Sequence, residues 1–249
     1  MNYFNEAAIE KLKEEAQIAP AGFRYGFVEG IFKNETFGQL VGNFPPVSSF
    51  KLVDKMSGGG RKKFYVGPNY YSGRHRGSIA HLTELPAIWI AVLRESASPE
   101  FIERLRWATG IKFNSLCNFG FSYGSEGCMQ GAHIDGAARP SDPSSVHSTI
   151  ACLLYFNPGP GGSTGTCIYQ PDRETIIFQV PNLRNSMSFF EQHPAAWHGF
   201  PTVPAGEERR IISLSYSQEA DPILIKKNET AVPTLSELIS HFLSGRGFR

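Results

Sequence analysis

Several features that would place a chain in a familiar class are scarce or missing in this sequence. The formal net charge is only +1, so nothing in the composition indicates nucleic acid or an acidic membrane surface as a partner. The cysteines are few and scattered, with no Cys-x-x-Cys pair, which favours small buried core residues. They are Cys117, Cys128, Cys152 and Cys167.

Two further absences concern membranes and secretion. No apolar run approaches the roughly 18 residues that a helix needs to span a bilayer. The first residues, Met1 to Glu6, lack the basic and apolar regions of a secretory signal peptide. These absences predict a soluble, cytoplasmic protein that does not bind membranes and keeps its thiols reduced.

Glycine, proline and phenylalanine, in contrast, are abundant, at 25, 17 and 19 of the 249 residues. Such a composition is typical of short strands joined by many turns around an aromatic core. Hydrophobic residues make up 41% of the chain, which is enough for a sizeable core. The length suits one large domain or two small ones.

The first 110 residues carry helix and strand signals in alternation. Apolar residues at helical spacing and the residues that cap or end a helix locate these elements. Their apolar faces are expected to pack on the back of a sheet, which makes this part α+β. The predicted elements are a helix from Glu6 to about Gln17 behind an Asn5 cap, a strand over 23–32, a short helix capped by Asn34, a helix capped by Thr83, and a helix begun by Ser98-Pro99 and closed by Gly110.

The glycine-rich stretch from Ser57 to Lys63 allows two interpretations. A phosphate-binding loop would need a Gly-Lys-Ser/Thr ending that runs into a helix, and both are missing. A hairpin loop with basic flanks fits the glycines better, with Phe64 to Val66 as the returning strand. The aromatic and basic stretch 70–76 is a solvated loop or part of a substrate-binding lid, and we favour the solvated loop.

From Ile111 onward the pattern changes to short apolar strands separated by turns rich in glycine and proline. Strands at this spacing predict a two-sheet jelly roll or barrel. The predicted fold class is α+β but mainly β, a double-stranded β-helix core with supporting N-terminal helices. The predicted strands cover 113–123, 149–156, 166–169, 175–180, 185–190 and 209–216.

A metal site is indicated by residues 131–136, Gly-Ala-His-Ile-Asp-Gly. Side chains alternate along an extended strand, so His133 and Asp135 point to one side and can bind one divalent metal. A His-x-Asp motif alone is weak evidence, because it occurs by chance in many chains. His198, in Ala-Trp-His-Gly-Phe, offers a third ligand. Two histidines and one carboxylate form the facial set used by non-haem Fe(II) oxygenases.

Motifs in a fixed order link the region 111–217 to a known family. They resemble the Fe(II)- and 2-oxoglutarate-dependent oxygenases of the prolyl-hydroxylase-like superfamily. Residues 1–110 resemble only the supporting elements of that family. The chain is therefore interpreted as a single oxygenase domain, with an extension over 218–249. The motifs are His133-x-Asp135, Leu154-Tyr155-Phe156-Asn157, Gly161-Gly162-Ser163-Thr164, Phe189-Phe190, His198-Gly199, Val203-Pro204-Ala205-Gly206 and an arginine that opens the last strand.

The resemblance implies a reaction and a set of roles. His133, Asp135 and His198 would be the Fe(II) ligands and the catalytic centre, with 2-oxoglutarate and O2 taking the remaining positions. Conversion of 2-oxoglutarate to succinate and CO2 would accompany hydroxylation of an unactivated carbon. Related halogenases carry glycine or alanine in place of the aspartate, so Asp135 favours hydroxylation or desaturation over halogenation.

A guanidinium is expected to hold the distant carboxylate of 2-oxoglutarate through paired hydrogen bonds. The family places this cation slightly nearer to the second histidine than Arg209 and Arg210, which are eleven and twelve residues past His198. Their side chains point to opposite faces of a strand, so only one reaches the site, and the spacing favours Arg209. The other is expected to form a surface ion pair with Glu207 or Glu208.

Two residues on the strand before the iron motif occupy positions from which family members often hydrogen-bond 2-oxoglutarate. They are Tyr123 and Asn118. Both residue types also suit a sheet without any ligand, so this assignment stays open. Trp197 is interpreted as packing for His198.

The sequence constrains the substrate least. Neither a peptide-binding repeat nor a strongly basic groove is present, which favours a small molecule such as a free amino acid or a natural-product intermediate. The loops 57–76 and 136–147 are the candidates for contacting it. Arg74, Arg76 and Arg139 are available there for an anionic group.

Two alternative functions stay open. One is a prolyl-hydroxylase-like enzyme that acts on a protein or peptide side chain. The other, from a different class, is a non-catalytic jelly-roll binding protein, which would consume no 2-oxoglutarate and need no buried arginine. A predicted C-terminal helix over 235–243 has an apolar stripe that would pack on the core or join a homodimer.

Overall fold

The computed structural model describes residues 1–57, 60–67, 71–72, 79–82, 85–135, 149–159, 163–218 and 224–227. Within these ranges the helices are α1 (Glu6–Glu15), α2 (Asn34–Gly42), α3 (Ala87–Ser96) and α4 (Pro99–Thr109). None of them is both long and apolar enough to cross a bilayer. The strands are β1 (Gln17–Ile18), β2 (Arg24–Glu29), β3 (Lys51–Ser57), β4 (Gly60–Val66), β5 (Tyr71–Ser72), β6 (Ile79–Leu82), β7 (Ser115–Gly124), β8 (Met129–His133), β9 (Ile150–Phe156), β10 (Cys167–Tyr169), β11 (Ile176–Gln179), β12 (Arg184–Glu191), β13 (His198–Phe200), β14 (Arg209–Ser217) and β15 (Leu224–Lys227).

Some predicted features lie outside the described ranges. The loop 136–147 with Arg139, the residues Arg74 and Arg76, and the helix over 235–243 belong to this group. The predicted hairpin is present, because β3 and β4 pair along their whole lengths and Ser57 lies opposite Gly60. Within the predicted loop 70–76, the described part is strand β5, which pairs with β7.

Thirteen strands form one curled antiparallel sheet in the order β1-β2-β12-β9-β14-β7-β4-β8-β13-β10-β11, with β3 beside β4 and β5 beside β7. Its central part consists of a large wall, β7-β14-β9-β12, and a small wall, β8-β13-β10-β11. Strand β4 joins the two walls, because it pairs with both β7 and β8. Successive strands that cross between two walls in this way make a jelly roll, so the predicted fold class is confirmed.

Side chains of the large wall alternate between the helices and the interior of the roll. On β9, Ile150, Cys152 and Leu154 belong to the main hydrophobic cluster, to which all four described helices contribute. The intervening Ala151 and Tyr155 belong to two smaller clusters. The helices therefore cover the outer face of the large wall, as predicted, and leave the interior available for a site.

The helix boundaries show where local signals were correct and where tertiary contacts override them. The hydroxyl of Ser98 accepts a hydrogen bond from the Phe101 N–H at 3.2 Å, and Gly110 ends α4 with a φ of 68°, as predicted. Asn5 occupies the N-cap position of α1, as predicted, but its side chain accepts no hydrogen bond from the helix. Its amide instead donates to the Gly30 carbonyl at 3.0 Å, and this contact ties α1 to the segment after β2.

Two other predicted caps are wrong. Helix α2 includes Asn34 as its first residue, with Lys33 in the capping position. Helix α3 begins at Ala87 with Pro86 in the capping position, which the sequence pattern assigns to Thr83, a residue outside the described ranges. Proline fixes its own φ angle, and Pro86 leads into α3 without a side-chain cap.

A glycine allows the close approach of β13 to β8. A Cβ atom at Gly199 would overlap the carbonyl oxygen of Gln130 and lie 3.0 Å from that of Gly131. Both neighbours are backbone atoms, which cannot rotate away as a side chain would. The small wall therefore requires glycine immediately after His198.

We expect Gly199→Ala to lower the free energy of unfolding by about 1–3 kcal/mol, because the added methyl group forces β13 away from β8. Gly159→Ala is the matched control, since a Cβ atom there meets no heavy atom within 4 Å. Urea denaturation of both variants measures the difference. Equal stability of the two variants would contradict the close approach.

Candidate metal centre

The pairing of β8 with β13 brings two histidines together. His133 ends β8 and His198 begins β13, and the two residues lie directly opposite each other in the antiparallel pair. Their ring centroids are 4.2 Å apart. Residues that lie opposite each other in an antiparallel pair project to the same face, so both imidazoles enter the interior of the roll.

Asp135, two residues beyond the end of β8, completes the cluster. Its Oδ1 atom lies 3.4 Å from Nε2 of His133 and 3.5 Å from Nε2 of His198. One ligand atom from each residue falls within 4.8 Å of the others. The His133 side chain is 1% exposed and that of Asp135 is 41% exposed, so the carboxylate marks the open side of the cluster.

Hydrogen bonds orient each ligand atom toward the centre of the cluster. Nδ1 of His133 lies 3.0 Å from the Gly131 carbonyl oxygen, and Nδ1 of His198 lies 3.0 Å from that of Ala196. A carbonyl only accepts, so each Nδ1 carries the proton and each Nε2 keeps its lone pair. The Gln192 amide donates to Oδ2 of Asp135 at 3.0 Å, which leaves Oδ1 for a metal. Such outer contacts are typical of metal sites.

The pKa values of the cluster also suit a metal. Burial lowers the pKa of His133, and repulsion from His198 acts in the same direction, which favours the neutral imidazole that binds metals. Burial alone would raise the pKa of Asp135. The positive charge that His198 and His133 carry when protonated outweighs burial and holds that pKa well below its usual range. The carboxylate is therefore ionised at neutral pH.

The spacing of the donor atoms fits a single ion. Ligand atoms about 2.1 Å from a metal and at right angles to each other are about 3.0 Å apart. The observed separations of 3.4 and 3.5 Å need only a small contraction. Two imidazoles and one carboxylate on one side leave the other side open, which matches the facial set of non-haem Fe(II) enzymes.

Arg209, the first residue of β14, lies buried at 4% exposure. Its Nε donates to the Thr164 carbonyl at 3.1 Å, its Nη2 donates to the hydroxyl of Thr166, and its guanidinium carbon lies 4.3 Å from the ring centre of Phe200. Burial lowers its pKa. Among the described residues no carboxylate forms an ion pair with it, so the guanidinium is a buried cation that lacks an anion.

Arg210 lies on the opposite face of β14. Its Nη2 forms an ion pair with Oε2 of Glu208 at 3.0 Å, and its guanidinium carbon is 5.6 Å from the ring centre of Phe44. The strand therefore separates the two arginines as predicted, with the second one paired to a neighbouring glutamate.

Tyr155 lies beside Arg209. In the sequence it is part of a family motif, with no role of its own predicted. The guanidinium carbon of Arg209 is 5.5 Å from its ring centre. The phenol donates to the Thr166 hydroxyl at 2.7 Å and lies 3.0 Å from the Ser188 hydroxyl. Its inward position on β9, one residue after the outward Leu154, was the signal that could have indicated it.

Tyr123 and Asn118 lie on different faces of β7. Tyr123 is directly opposite Arg210 and packs toward Phe50, with ring centres 6.2 Å apart, so it faces away from Arg209. Asn118 lies opposite Ser215, and its buried Oδ1 has no hydrogen-bond partner in the part of the chain that is described. Asn118 therefore stays a candidate ligand contact, whereas Tyr123 lies on the outer face of the sheet.

Comparisons with known proteins give a clear result only for the fold. No protein-family model matches the chain, and no curated protein matches its sequence. A 2OG-Fe(II) oxygenase family oxidoreductase from Burkholderia pseudomallei is 15% identical with a TM-score of 0.59, covering 88% of this chain and 95% of that one. A Pseudomonas putida prolyl-4-hydroxylase is 11% identical with a TM-score of 0.55, covering 86% and 98%.

A third similar structure is the non-haem alpha-ketoglutarate-dependent epimerase SnoN from nogalamycin biosynthesis. It is 14% identical, with a TM-score of 0.55, and the match covers 86% of this chain and 84% of that one. This chain has the fold of the 2OG-Fe(II) oxygenases. The resemblance seen in the sequence is thereby confirmed at the level of the fold. One fold supports many activities, so the reaction depends on the side chains of the site.

We expect Asp135→Ala to weaken Fe(II) or Co(II) binding at least about a hundredfold, since losing a direct ligand should cost more than losing an outer contact. Anaerobic isothermal titration calorimetry measures the affinity. Asp54→Ala is the control, because Asp54 is an exposed carboxylate paired with Arg61 at 3.0 Å. Metal affinity that is unchanged in Asp135→Ala would remove this residue from the site.

Proposed function

We propose that this protein is an Fe(II)- and 2-oxoglutarate-dependent oxygenase that hydroxylates an unactivated carbon of a small molecule. The observation that carries the proposal is that Arg209, buried and without a carboxylate partner in the described ranges, shares the interior of the roll with the His133, Asp135 and His198 cluster. A buried cation without an anion costs free energy, so it indicates a ligand that brings the anion.

The geometry links the two features through one aromatic ring. Phe200 lies two residues after His198 on β13, and the guanidinium carbon of Arg209 lies 4.3 Å from the centre of its ring. Side chains two residues apart share a face of a strand, so the arginine and the histidine border the same space. A short dicarboxylate suits this space, because one end can chelate a metal while the other pairs with the guanidinium.

In this function the ligands would be Nε2 of His133 and His198 and Oδ1 of Asp135. Bound Fe(II), with 2-oxoglutarate, would supply the activation of O2 needed to oxidise a carbon–hydrogen bond. The hydrogen bonds of the imidazoles to Gly131 and Ala196 hold both rings in the tautomer that presents Nε2. The two imidazole rings are thereby oriented without a bound metal.

The far carboxylate of 2-oxoglutarate would bind Arg209. Thr164 and Thr166 fix the guanidinium, and the buried Thr164 hydroxyl has no hydrogen-bond partner within the described residues, so it can donate to the same carboxylate. The Tyr155 phenol supports Thr166 from the other side. The carboxylate of Asp135 occupies the position that related halogenases leave open, which supports hydroxylation.

A second candidate is hydroxylation of a peptide or protein side chain. It is favoured by the likeness of the fold to that of a prolyl-4-hydroxylase, whereas the likeness to a small-molecule epimerase supports the first. Both candidates require 2-oxoglutarate consumption, which a non-catalytic jelly-roll binding protein would not show.

The test is aerobic incubation of the purified protein with Fe(II), ascorbate and 2-oxoglutarate, alone and with panels of free amino acids and of peptides. We expect succinate to form and to increase with a small-molecule panel member, and mass spectrometry to find a product heavier by one oxygen atom. Stimulation only by peptides would support the second candidate. Succinate that never exceeds the level of an Asp135→Ala control would refute both.

We expect Arg209→Gln to raise the Michaelis constant for 2-oxoglutarate about a hundredfold, because a buried charge-assisted pair is lost. Metal affinity should stay close to that of the unchanged protein. Arg210→Gln is the matched control and should leave the constant within about twofold, since its ion pair with Glu208 is partly exposed and contributes little. The reverse order of effects would show that the cation has been misidentified.

A further inference from the structure

Lys62 on β4 lies on the face that carries the metal ligands. It is directly opposite Gln130 on β8, and residues opposite each other in an antiparallel pair project to the same face. The Gln130 amide nitrogen lies 3.0 Å from Nε2 of His133, the atom that would bind the metal. The Lys62 side chain therefore projects toward the border of the metal site.

The charge of Lys62 is not neutralised by a direct partner. The side chain is half-buried and forms no ion pair with a carboxylate in the ranges that the structure describes. Burial lowers its pKa, while the charge of Asp135 raises it and that of Lys55 lowers it further. The Asp135 carboxylate forms no direct contact with Lys62, because it faces the two histidines and Gln192.

The charges expected at the site with iron and 2-oxoglutarate bound balance without Lys62. A divalent iron, the Asp135 carboxylate, the two carboxylates of 2-oxoglutarate and Arg209 together carry no net charge. Both carboxylates of the co-substrate would have a partner in that set, one the metal and the other Arg209. Among the residues that the structure describes, Lys62 therefore adds one further positive charge at the border of the metal site, which an anionic group of another molecule would neutralise.

We propose that Lys62 recognises a carboxylate of the primary substrate and that the substrate is consequently a small carboxylic acid of the free amino acid type. The proposal rests on the oxygenase function and specifies its substrate class. A carboxylate held by Lys62 would orient the acid next to the metal, so the lysine is a determinant of specificity. A metal on Nε2 of His133 would displace the Gln130 amide, which would then be free to donate to the same group.

The experiment uses the full chain loaded anaerobically with Fe(II) and 2-oxoglutarate, and matched pairs of free L-amino acids and their amides as probes. Binding without turnover is read from the perturbation of the visible iron–2-oxoglutarate absorption band, and coupling is read from added succinate on exposure to air. The variants are Lys62→Gln, Lys62→Arg and Lys55→Gln. Lys55 is the control, because it is the exposed cross-strand partner of Lys62, one strand further from the metal.

We expect at least one acid to bind about tenfold or more tightly than its amide, as a charge-assisted contact predicts. Lys62→Gln should abolish this difference, Lys62→Arg should restore much of it, and Lys55→Gln should keep it. Formation of the band in each variant shows that the site is folded and loaded.

Three results would overturn the inference. They are amides that bind as tightly as acids, a panel in which no acid binds, and an acid preference that survives in Lys62→Gln. A weakened affinity for 2-oxoglutarate in Lys62→Gln, with the acid preference intact, would assign the lysine to the co-substrate instead. Failure of the band to form in the unchanged protein would refute the oxygenase function itself, which separates the two claims.

Discussion

The site depends on one backbone pairing, that of β8 with β13. The register places His133 directly opposite His198, so the hydrogen bonds of the sheet set the distance between the two imidazoles. Gly199 makes this approach possible, because a side chain there would collide with the backbone of β8. Asp135 then needs only a two-residue continuation of the chain to complete the cluster. A shift of one residue in the register would turn one histidine out of the interior.

The alternation of side chains along β14 determines which of two arginines reaches the interior of the roll. Arg209 and Arg210 are neighbours, yet one is a buried cation inside the roll and the other forms an ion pair with Glu208 on the outer face. Helices cover the outer face of the large wall, and the interior contains two buried side-chain oxygens without a hydrogen-bond partner among the described residues, Asn118 Oδ1 and Thr164 Oγ1. A ligand with two carboxylates would satisfy both the cluster and the arginine.

Sequence patterns predicted the jelly roll and most of its elements, since strand length, turn residues and apolar periodicity are local properties. They also predicted His133, Asp135 and His198 as a metal site, and the structure brings these three side chains together. Spacing favoured Arg209 over Arg210, and the structure shows that Arg209 is the buried one of the two. Caps were predicted less well, as Asn5 shows, because a tertiary hydrogen bond competes with the local one.

Other residues carry no local signal at all. Gln192 matters because it directly follows β12 and its amide donates to Asp135, and Lys62 matters because β4 pairs with β8. Both relations join segments far apart in the chain, which a single sequence does not reveal. Tyr155 is intermediate, since its place on an inward position of β9 could have been inferred from the alternation.

The most direct test of the account is an anaerobic titration of the protein with Fe(II) in the presence of 2-oxoglutarate, followed by visible absorption. The account predicts a weak charge-transfer band that saturates at one iron per chain and is absent in His133→Ala. A band of equal intensity in His133→Ala, or no band in the unchanged protein, would contradict the claim that these three side chains hold iron beside the dicarboxylate.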